Sequence, residues 1–509
     1  MSMVRELTSR LVGSGRRRRP LRVGVIGAGA AGITMGVALR RLGIADFTIF
    51  EQSDGFGGTW HDNIYPGAEV DTPVPFYSYS YHPFSFTRTH VRQAELLAYL
   101  QNVADRFALR PNCSFENGVS KVVWDESRHV YELETVKGES HTFDVVVSAV
   151  GLLNHPRYPD WPGMRDFQGP MFHTSRWDHG VDLTGKRVAV VGTGSTAAQV
   201  VPAIAPTVEK IYLFQRQPGW ILPKNSRVFT PEERARLEHP VHRRVLRVRQ
   251  RLSFERIAKY LIEGTPSNVA TQQQCLDYIG RVFKDRPDLQ KKVTPNYPFG
   301  GKRTIRDDHF YPSLLRENIE LVPHAVERLT RTGVVDAIGE EYDVDVVVLS
   351  TGFQPANFLA TYEVVGRDGR SIHDFWGPDA RAFLGLTVAG FPNFYMMYGP
   401  NTNGGPQMFL LERQAAFVVA NLKRMMRSGL TAIEVRKGVM DTFNEVLQRR
   451  LRGNVSARHP EVHNYGRTST GRDVIAWTDG MAVYSFLTRI SPRLSSTARR
   501  LGSSTKDPR

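Results

Sequence analysis

The chain has few cysteines and no long hydrophobic run. Its 509 residues include two cysteines, Cys113 and Cys275, which lie far apart and form no CxxC or metal-ligand pattern. This spacing excludes a redox dithiol and predicts no metal site. No apolar run approaches the roughly 20 residues that a membrane-spanning helix requires, and residues 1–20 lack the apolar core of a secretory signal. We therefore expect a cytoplasmic protein without a transmembrane segment.

The positive charge is concentrated at the two ends of the chain. The formal net charge is +15. Residues 1–20 carry six arginines and one glutamate, and residues 489–509 carry six lysines or arginines and one aspartate, so each end contributes +5. We predict that both ends are basic, disordered tails. Weak attraction to an anionic membrane surface is the alternative. No nucleic-acid-binding motif accompanies the charge, so nucleic acid is not a predicted partner.

A glycine-rich turn follows the first apolar strand. The sequence "LRVGVIGAGAAGITMGVALRRLGIADFTIFE" predicts a strand at 21–26, a helix that ends at Leu42 and a strand at 47–50. Glycines at such a turn permit a tight bend, the approach of a pyrophosphate and close packing of helix on strand, and an acid after the second strand suits a ribose. The helix N-terminus attracts phosphate. The predicted dinucleotide-binding residues are Gly27, Ala28, Gly29, Gly32 and Glu51.

A second turn of the same kind occurs in "GKRVAVVGTGSTAAQVVPAIAPTVEKIYLFQRQPGW". A strand at 187–191 leads into Gly192, Gly194 and Ala197 at GxGxxA spacing, and a helix and another strand follow. Arg216 stands where the first unit has its acid, and an arginine there suits the 2′-phosphate of NADP. Arg216 as a plain surface residue is the alternative. Two such turns predict two dinucleotides, FAD at the first and NADP(H) at the second.

The order of the elements predicts the fold class. Three short antiparallel strands are expected at 119–124, 130–135 and 143–148, and buried strands that end in glycine, within 143–156 and 342–355, are expected to cross between domains. The sequence thus predicts an α/β protein with two Rossmann-like dinucleotide-binding domains and a helical insertion. The predicted boundaries are 21–154 and 352–488 for the FAD-binding domain, 155–351 for the NADP-binding domain and about 225–300 for the helical insertion.

Residues 241–262, "VHRRVLRVRQRLSFERIAKYLI", place apolar residues near helical spacing between many arginines. The pattern predicts an amphipathic helix that packs on the domain and covers the substrate entry. Contact with a membrane surface or a partner is the alternative.

The segment 167–178, "FQGPMFHTSRWD", identifies a family by resemblance. It resembles the FxGxxxHxxxW(P/D) motif of Baeyer–Villiger monooxygenases, and it lies between the first crossing and the second glycine-rich turn, as in that family. Segments at 57–84, 301–312, 350–353 and 391–405 also resemble family motifs, and "DTPVPFYSYSY" is similar to the branch of hydroxyacetophenone monooxygenases. The motif residues are Phe167, Gly169, His173, Trp177 and Asp178.

The resemblance implies an FAD- and NADPH-dependent monooxygenase that converts a ketone to an ester or lactone with O2 through a C4a-peroxyflavin. It implies that Arg303 stabilises the negative charge and that Asp71 orients Arg303 and stays ionised. A structural ion pair is the alternative. His173 and Trp177 are implied in domain motion rather than in bond chemistry. Trp60 and Tyr77 are implied to line the flavin, and plain core positions are the alternative for both. Lys302 and Arg216 are implied at the NADP 2′-phosphate, and Thr193, Ser195, Thr196 and Gln199 around its pyrophosphate and ribose. The remaining implied cofactor contacts are Gly58, Thr59, Gly194 and Gln217.

Three other functions are alternatives to this one. An FAD/NADPH disulfide reductase needs a redox dithiol, which the two cysteines do not supply. N- or S-oxygenation on the same fold uses an electrophilic hydroperoxide, so it should depend less on Arg303. A non-catalytic nucleotide sensor would have no need of Arg303, Asp71 and the 167–178 motif.

Overall fold

The computed structural model of the chain describes residues 20–502. The strands, in chain order, are β1 Val23–Ile26, β2 Phe47–Phe50, β3 Cys113–Ser114, β4 Val119–Asp125, β5 Val130–Thr135, β6 Ser140–Phe143, β7 Val145–Ser148, β8 Met171–His173, β9 Arg187–Val191, β10 Lys210–Phe214, β11 Ile221–Leu222, β12 Ile305–Arg306, β13 Ile319–Val322, β14 Val326–Leu329, β15 Gly333–Asp336, β16 Glu341–Asp343, β17 Val346–Leu349, β18 Glu363–Val365, β19 Phe394–Met396, β20 Ala432–Val435 and β21 Ser496–Arg499.

The α-helices lie mainly between these strands and in one long insertion after β11. In chain order they are α1 Ala30–Leu42, α2 Thr59–Asp62, α3 Gln93–Arg106, α4 Ser195–Ile204, α5 Pro231–Glu238, α6 Pro240–Ile257, α7 Pro266–Val282, α8 Pro287–Val293, α9 Phe310–Ser313, α10 Ile372–Trp376, α11 Gln407–Ser428, α12 Lys437–Leu451, α13 Val455–Arg458 and α14 Met481–Leu494.

Two five-stranded parallel sheets form the centre of the fold. Their strand orders are β19-β7-β1-β2-β3 and β13-β10-β9-β17-β8. The central strands are valine-rich and fully buried, as expected for parallel strands with helices on both faces. Helices α5 to α8 form an insertion between β11 and β12. The predicted α/β class, with two Rossmann-like units and a helical insertion, is confirmed.

One predicted strand is divided between two sheets. The sequence predicted 143–148 as a third antiparallel strand, but β6 ends at Phe143 and pairs with β5, whereas β7 pairs in parallel with β1. Asp144 lies at the change of direction, where its Oδ2 atom accepts a hydrogen bond from the Arg22 N–H at 2.8 Å. The prediction failed because the apolar sequence around Asp144 gives no sign that the chain leaves one sheet at this residue and enters the other.

The prediction of a disordered tail at 489–509 is wrong for its first part. Helix α14 continues to Leu494, and β21 pairs antiparallel with β20. Arg499 forms an ion pair with Glu126, which compensates one of the charges on which the prediction was based. The predicted tail at 1–20, except for Pro20, and residues 503–509 lie outside the described residues.

Helix α6 does not pack as the sequence suggested. Four of its apolar side chains, at positions 241, 245, 248 and 252, are exposed, whereas Arg247 faces the protein and donates hydrogen bonds to the carbonyl oxygens of Pro75 and Ser78. The prediction that the apolar residues of 241–262 pack on the domain is therefore wrong for these four. Among the described residues, no helix is both long enough and apolar enough to cross a bilayer.

Candidate active site

A cavity of about 790 Å³ lies against the segments that follow β7, β9 and β17. This position agrees with the general rule that ligands bind at the carboxyl ends of parallel strands. Most of the predicted site residues line it, namely Thr59, Trp60, Asp71, Tyr77, Thr193, Gly194, Ser195, Thr196, Gln199, Arg216, Gln217, Lys302 and Arg303. The first glycine-rich turn and the 167–178 motif are not part of this wall.

The first glycine-rich turn has the close packing that a dinucleotide turn requires. Gly27 has a φ of 102°, and a Cβ atom at Gly32 would collide with the Gly27 carbonyl oxygen. A Cβ atom at Gly58 would lie 2.8 Å from the Cα atom of Gly29, so two loops meet there backbone to backbone. Helix α1 begins after Gly29 without a side-chain cap, which leaves its first N–H groups available to a phosphate.

Glu51 ties the two ends of this unit together. It is buried, and its Oε2 and Oε1 atoms accept hydrogen bonds from the N–H groups of Ala28 at 2.6 Å and Ser53 at 2.9 Å. Burial raises the pKa of Glu51 although these hydrogen bonds act in the opposite direction. A carboxylate has about four acceptor positions, so capacity remains for a ribose hydroxyl.

The second glycine-rich turn faces the cavity directly. Gly192 has a φ of 110°, and a Cβ atom there would collide with the Ser350 carbonyl oxygen. A Cβ atom at Gly194 would meet no atom within 4 Å. Helix α4 begins after Gly194 without a side-chain cap. The turn therefore combines free N–H groups with open space, which fits a pyrophosphate.

Four basic side chains gather beside this turn. Arg216 and Lys302 were predicted, and Arg157 and His463 join them. The Arg157 Nη1 atom donates to His463 Nε2 at 3.2 Å. Burial, and then the charge of Arg216, lowers the pKa of Lys302 to about 8. Burial lowers the pKa of His463, and the charges of Arg216, Arg157 and Lys302 lower it further. An anionic group would relieve this concentration of like charge, as a 2′-phosphate would.

Arg303 and Asp71 form an ion pair on the cavity wall. The Arg303 Nη2 atom lies 2.9 Å from Asp71 Oδ2, and the Arg303 side chain is 46% exposed because it faces the cavity. Asp71 raises the pKa of Arg303 above its usual value. Burial raises the pKa of Asp71, but Arg303 and then Lys224 more than offset this effect, so the pKa lies below its usual value. Both groups are therefore charged at neutral pH.

A short chain of hydrogen bonds continues along the wall from this pair. The Trp60 Nε1 atom donates to the Tyr77 hydroxyl at 3.2 Å, which donates to Gln407 Oε1 at 2.7 Å. Burial raises the pKa of Tyr77 to about 12, so its hydroxyl stays protonated. Tyr398 and Tyr465 also line the cavity and interact electrostatically with Arg303. The sequence did not single out either tyrosine or Gln407.

Gln199 connects the second turn to the segment before Asp71. Its Oε1 atom accepts hydrogen bonds from the Tyr65 hydroxyl at 3.0 Å and the Glu69 N–H at 3.3 Å, and its Nε2 atom donates to the Glu69 carbonyl oxygen at 2.8 Å. Glu69 in turn pairs with the buried Lys224 at 2.8 Å. Gln199 was predicted as a contact of NADP. In the structure, its side chain makes three hydrogen bonds that connect helix α4 to the 65–69 segment.

The residues of the 167–178 motif contact neighbouring backbone and side chains of the fold. A Cβ atom at Gly169 would collide with the Asp345 carbonyl oxygen, so only glycine fits beside this chain. His173 is fully buried, and its Nδ1 atom accepts from the Ser175 N–H at 3.1 Å. Its Nε2 atom therefore carries the proton and donates to the Gly352 carbonyl oxygen at 3.0 Å. His173 thus ties β8 to the exit of β17, where the chain crosses between the two sheets.

The other motif residues support the same segment. Phe167 is buried in the core beside β9 and β17, and Trp177 packs edge-on against Phe172 with ring centroids 5.1 Å apart. The Asp178 Oδ1 atom accepts from the Gly180 N–H at 2.8 Å. Phe167, Trp177 and Asp178 are themselves absent from the cavity lining, and the contacts described here are with other parts of the fold.

Comparisons with known proteins agree with this site. The chain is 36% identical to a Baeyer–Villiger monooxygenase of Pseudomonas aeruginosa over 92% of this chain and 90% of the relative. It therefore belongs to the Baeyer–Villiger monooxygenase family. The model of the pyridine nucleotide-disulphide oxidoreductase family also matches residues 25–263.

Solved structures of Baeyer–Villiger type monooxygenases share the complete architecture. A steroid monooxygenase bound to NADP superposes with a TM-score of 0.85 and 28% identity, covering 94% of this chain and 99% of that one. A complex of OTEMO with FAD and NADP gives a TM-score of 0.85 at 25% identity, covering 95% of this chain and 100% of that one. The fold recognised from the sequence is thus that of two-nucleotide monooxygenases.

The thiols separate this Baeyer–Villiger monooxygenase from the disulfide reductases that share its nucleotide-binding fold. Cys113 and Cys275 are both free. Burial raises the pKa of each thiol to about 12, so neither is a thiolate at neutral pH. Within residues 20–502, no group of three or more metal-binding side chains is found.

Proposed function

We propose that this Baeyer–Villiger monooxygenase converts a bulky or aromatic ketone to an ester or lactone, with FAD at the first glycine-rich turn and NADPH at the second. The proposal is carried by one observation. The Arg303–Asp71 ion pair faces a cavity into which the second turn also opens. Arg303 would thus provide a fixed positive charge beside the space where the substrate and the cofactors would meet.

FAD reduced by NADPH supplies the activation of O2, which is chemistry that no side chain provides. The chain supplies binding, orientation and charge. Arg303 stays protonated and lines the cavity, where its N–H donors would stabilise oxygen atoms that gain negative charge. Asp71 stays ionised because its pKa is lowered, so it orients the guanidinium and does not transfer protons.

The cation cluster supports the assignment of NADPH rather than NADH. Arg216, Lys302, Arg157 and His463 lie together on the cavity wall, and the positive charge of Arg216 lowers the pKa of both Lys302 and His463. A 2′-phosphate carries close to two negative charges at neutral pH and would compensate them. The predicted roles of these residues, and of the residues at both turns, are part of the proposal.

The walls of the cavity support an apolar ketone as the substrate. Aromatic side chains at positions 60, 77, 161, 353 and 398 contribute to the lining, and such walls favour apolar ligands with a few polar contacts. A reducing, cytoplasmic location is also part of the proposal, because both cysteines are free thiols.

The decisive experiment offers purified protein a panel of bulky, aromatic and small cyclic ketones together with sulfides and amines, in the presence of NADPH and air. Products are identified by mass. Esters or lactones that contain one added oxygen atom would support the proposal. Sulfoxides or N-oxides without any ester would contradict it and favour the oxygenating alternative of the same fold. Omission of the substrate controls for NADPH oxidation that releases peroxide.

A further inference from the structure

Two helices present apolar side chains to solvent. On α6 these are Val241, Val245, Val248 and Leu252, and on α14 they are Val483, Phe486, Ile490 and Leu494, with exposed fractions of 41–65%. In both sets the spacing is three or four residues, so each set forms a stripe along one face of its helix. We call the two stripes together the α6–α14 face. Scattered exposed apolar residues are ordinary, whereas two regular stripes are not.

Both helices contact the rest of the protein through other residues. Arg247 of α6 donates to the carbonyl oxygens of two residues of the 75–78 segment, at 3.2 and 2.7 Å. On α14 the buried positions include Tyr484, Thr488 and Ser491, and the Tyr484 hydroxyl donates to the Leu384 carbonyl oxygen at 2.6 Å. Among residues 20–502, packing therefore does not account for the apolar residues of the two stripes, which are exposed.

The two stripes meet at one contact. The Glu255 Oε1 atom accepts a hydrogen bond from the Ala482 N–H at 2.7 Å, which joins the end of α6 to the start of α14. Leu252 lies one helical turn before this contact, and Val483 follows it directly. The two stripes of the α6–α14 face therefore lie on helices that are in direct contact.

The charged residues on this face indicate whether a second copy of the chain or an anionic lipid surface covers it. Exposed charged residues on the described parts of the two helices include Arg244, Arg249, Arg489 and Arg493, and the single acid of α6 and α14, Glu255, is used in the contact between them. A second copy of the same face would place arginines against arginines. An anionic lipid surface offers phosphates to the arginines and an apolar interior to the stripes between them.

We propose that the α6–α14 face docks this enzyme on the surface of an anionic lipid bilayer, with the apolar stripes in the interfacial region and the arginines at the lipid phosphates. The attachment is peripheral, because neither helix spans the bilayer. It does not depend on the proposed reaction.

The test is co-sedimentation of the FAD-loaded full chain with vesicles of phosphatidylcholine alone and of phosphatidylcholine mixed with phosphatidylglycerol. We expect binding to the anionic vesicles that weakens with salt. The double variant Leu252→Asp with Phe486→Asp should lower the partition coefficient between vesicles and water at least about tenfold, since it removes two apolar side chains that the proposal places in the lipid. Arg244→Gln and Arg489→Gln should each lower it about fivefold. All variants keep both chain ends, so the basic sequences there affect them equally.

The matched control is Val136→Asp, which changes a residue of similar exposure in the turn between β5 and β6. It should bind vesicles like the unmodified chain. Thermal unfolding and flavin absorbance show that each variant is folded and loaded. Absence of binding to anionic vesicles would overturn the proposal, as would equal binding by the double variant. A dimer that the double variant disperses, without vesicle binding, would show that a second copy covers the face instead.

Discussion

The guanidinium of Arg303 and the carboxylate of Asp71 meet at 2.9 Å although 232 positions separate them in the chain. One carboxylate oxygen holds one nitrogen of Arg303. Since a guanidinium has five N–H donors, this contact leaves others for the cavity, where Tyr465 also interacts with Arg303. The contact with Asp71 thus holds the positive charge of Arg303 in a fixed position on the cavity wall.

We expect Arg303→Ala to abolish ester formation while leaving FAD bound and reducible. Loss of a donor that stabilises developing negative charge typically costs about 100- to 1,000-fold in rate. Anaerobic reduction by NADPH, followed by flavin absorbance, measures the first half of the reaction, and product mass measures the second. Asp71→Asn, which keeps a hydrogen-bond acceptor beside Arg303, should reduce the rate less. Ester formation by Arg303→Ala at the unmodified rate would remove Arg303 from the mechanism.

Cys113 and Cys275 should have no role in turnover. Because burial raises both thiol pKa values to about 12, we expect neither to react with a thiol reagent in the native protein at pH 7.5. The double variant Cys113→Ser with Cys275→Ala should form ester at an unchanged rate. Thiol titration in denaturant, which should count two thiols, is the control. Loss of NADPH oxidation in the double variant would favour disulfide chemistry instead.

The two nucleotide-binding units were predictable because their signals are local. The strand, the glycine spacing and the end of the first helix at Leu42 all lie within about 30 consecutive residues, and the structure has them where the pattern predicts. The role of Arg216 follows from the same local logic, since it occupies the place of the acid in the first unit.

The remainder of the site was not predictable from local signals. Arg157, His463 and Tyr465 reach the cavity from segments about 300 residues apart, and no spacing rule connects them. Arg303 and Asp71 were predicted only through the resemblance to a family. The order of 489–499 depends on pairing with β20, which lies about 65 residues earlier. Sequence patterns reveal such long-range partners only when a family supplies them.

Gly169 and Gly194 should respond differently to the same substitution. Gly169→Ala forces a Cβ atom against the Asp345 carbonyl oxygen, so we expect a loss of about 1–3 kcal/mol in the free energy of unfolding. Gly194→Ala has open space and should leave stability unchanged, but its methyl group occupies room beside the α4 N-terminus and should weaken NADPH binding. Denaturant unfolding and NADPH titration of both variants give the comparison. Equal stability of the two variants would contradict the crowding at Gly169.

The pH dependence of NADPH use tests the cation cluster. Burial and Arg216 lower the pKa of Lys302 to about 8, so Lys302 is a cation below pH 8 and becomes neutral above it. The 2′-phosphate is ionised throughout this range. We therefore expect kcat/KM for NADPH, which reports the free enzyme, to fall above pH 8 by up to about tenfold per pH unit.

Two comparisons isolate the contribution of Lys302. NADH lacks the 2′-phosphate, so its kcat/KM should change little over the same range. Lys302→Met should lower kcat/KM for NADPH at pH 7 and remove the decline near pH 8, whereas Lys137→Met, at an exposed position in the turn between β5 and β6, should do neither. If the decline persists unchanged in Lys302→Met, another group titrates, and Lys302 does not hold the phosphate in its charged form.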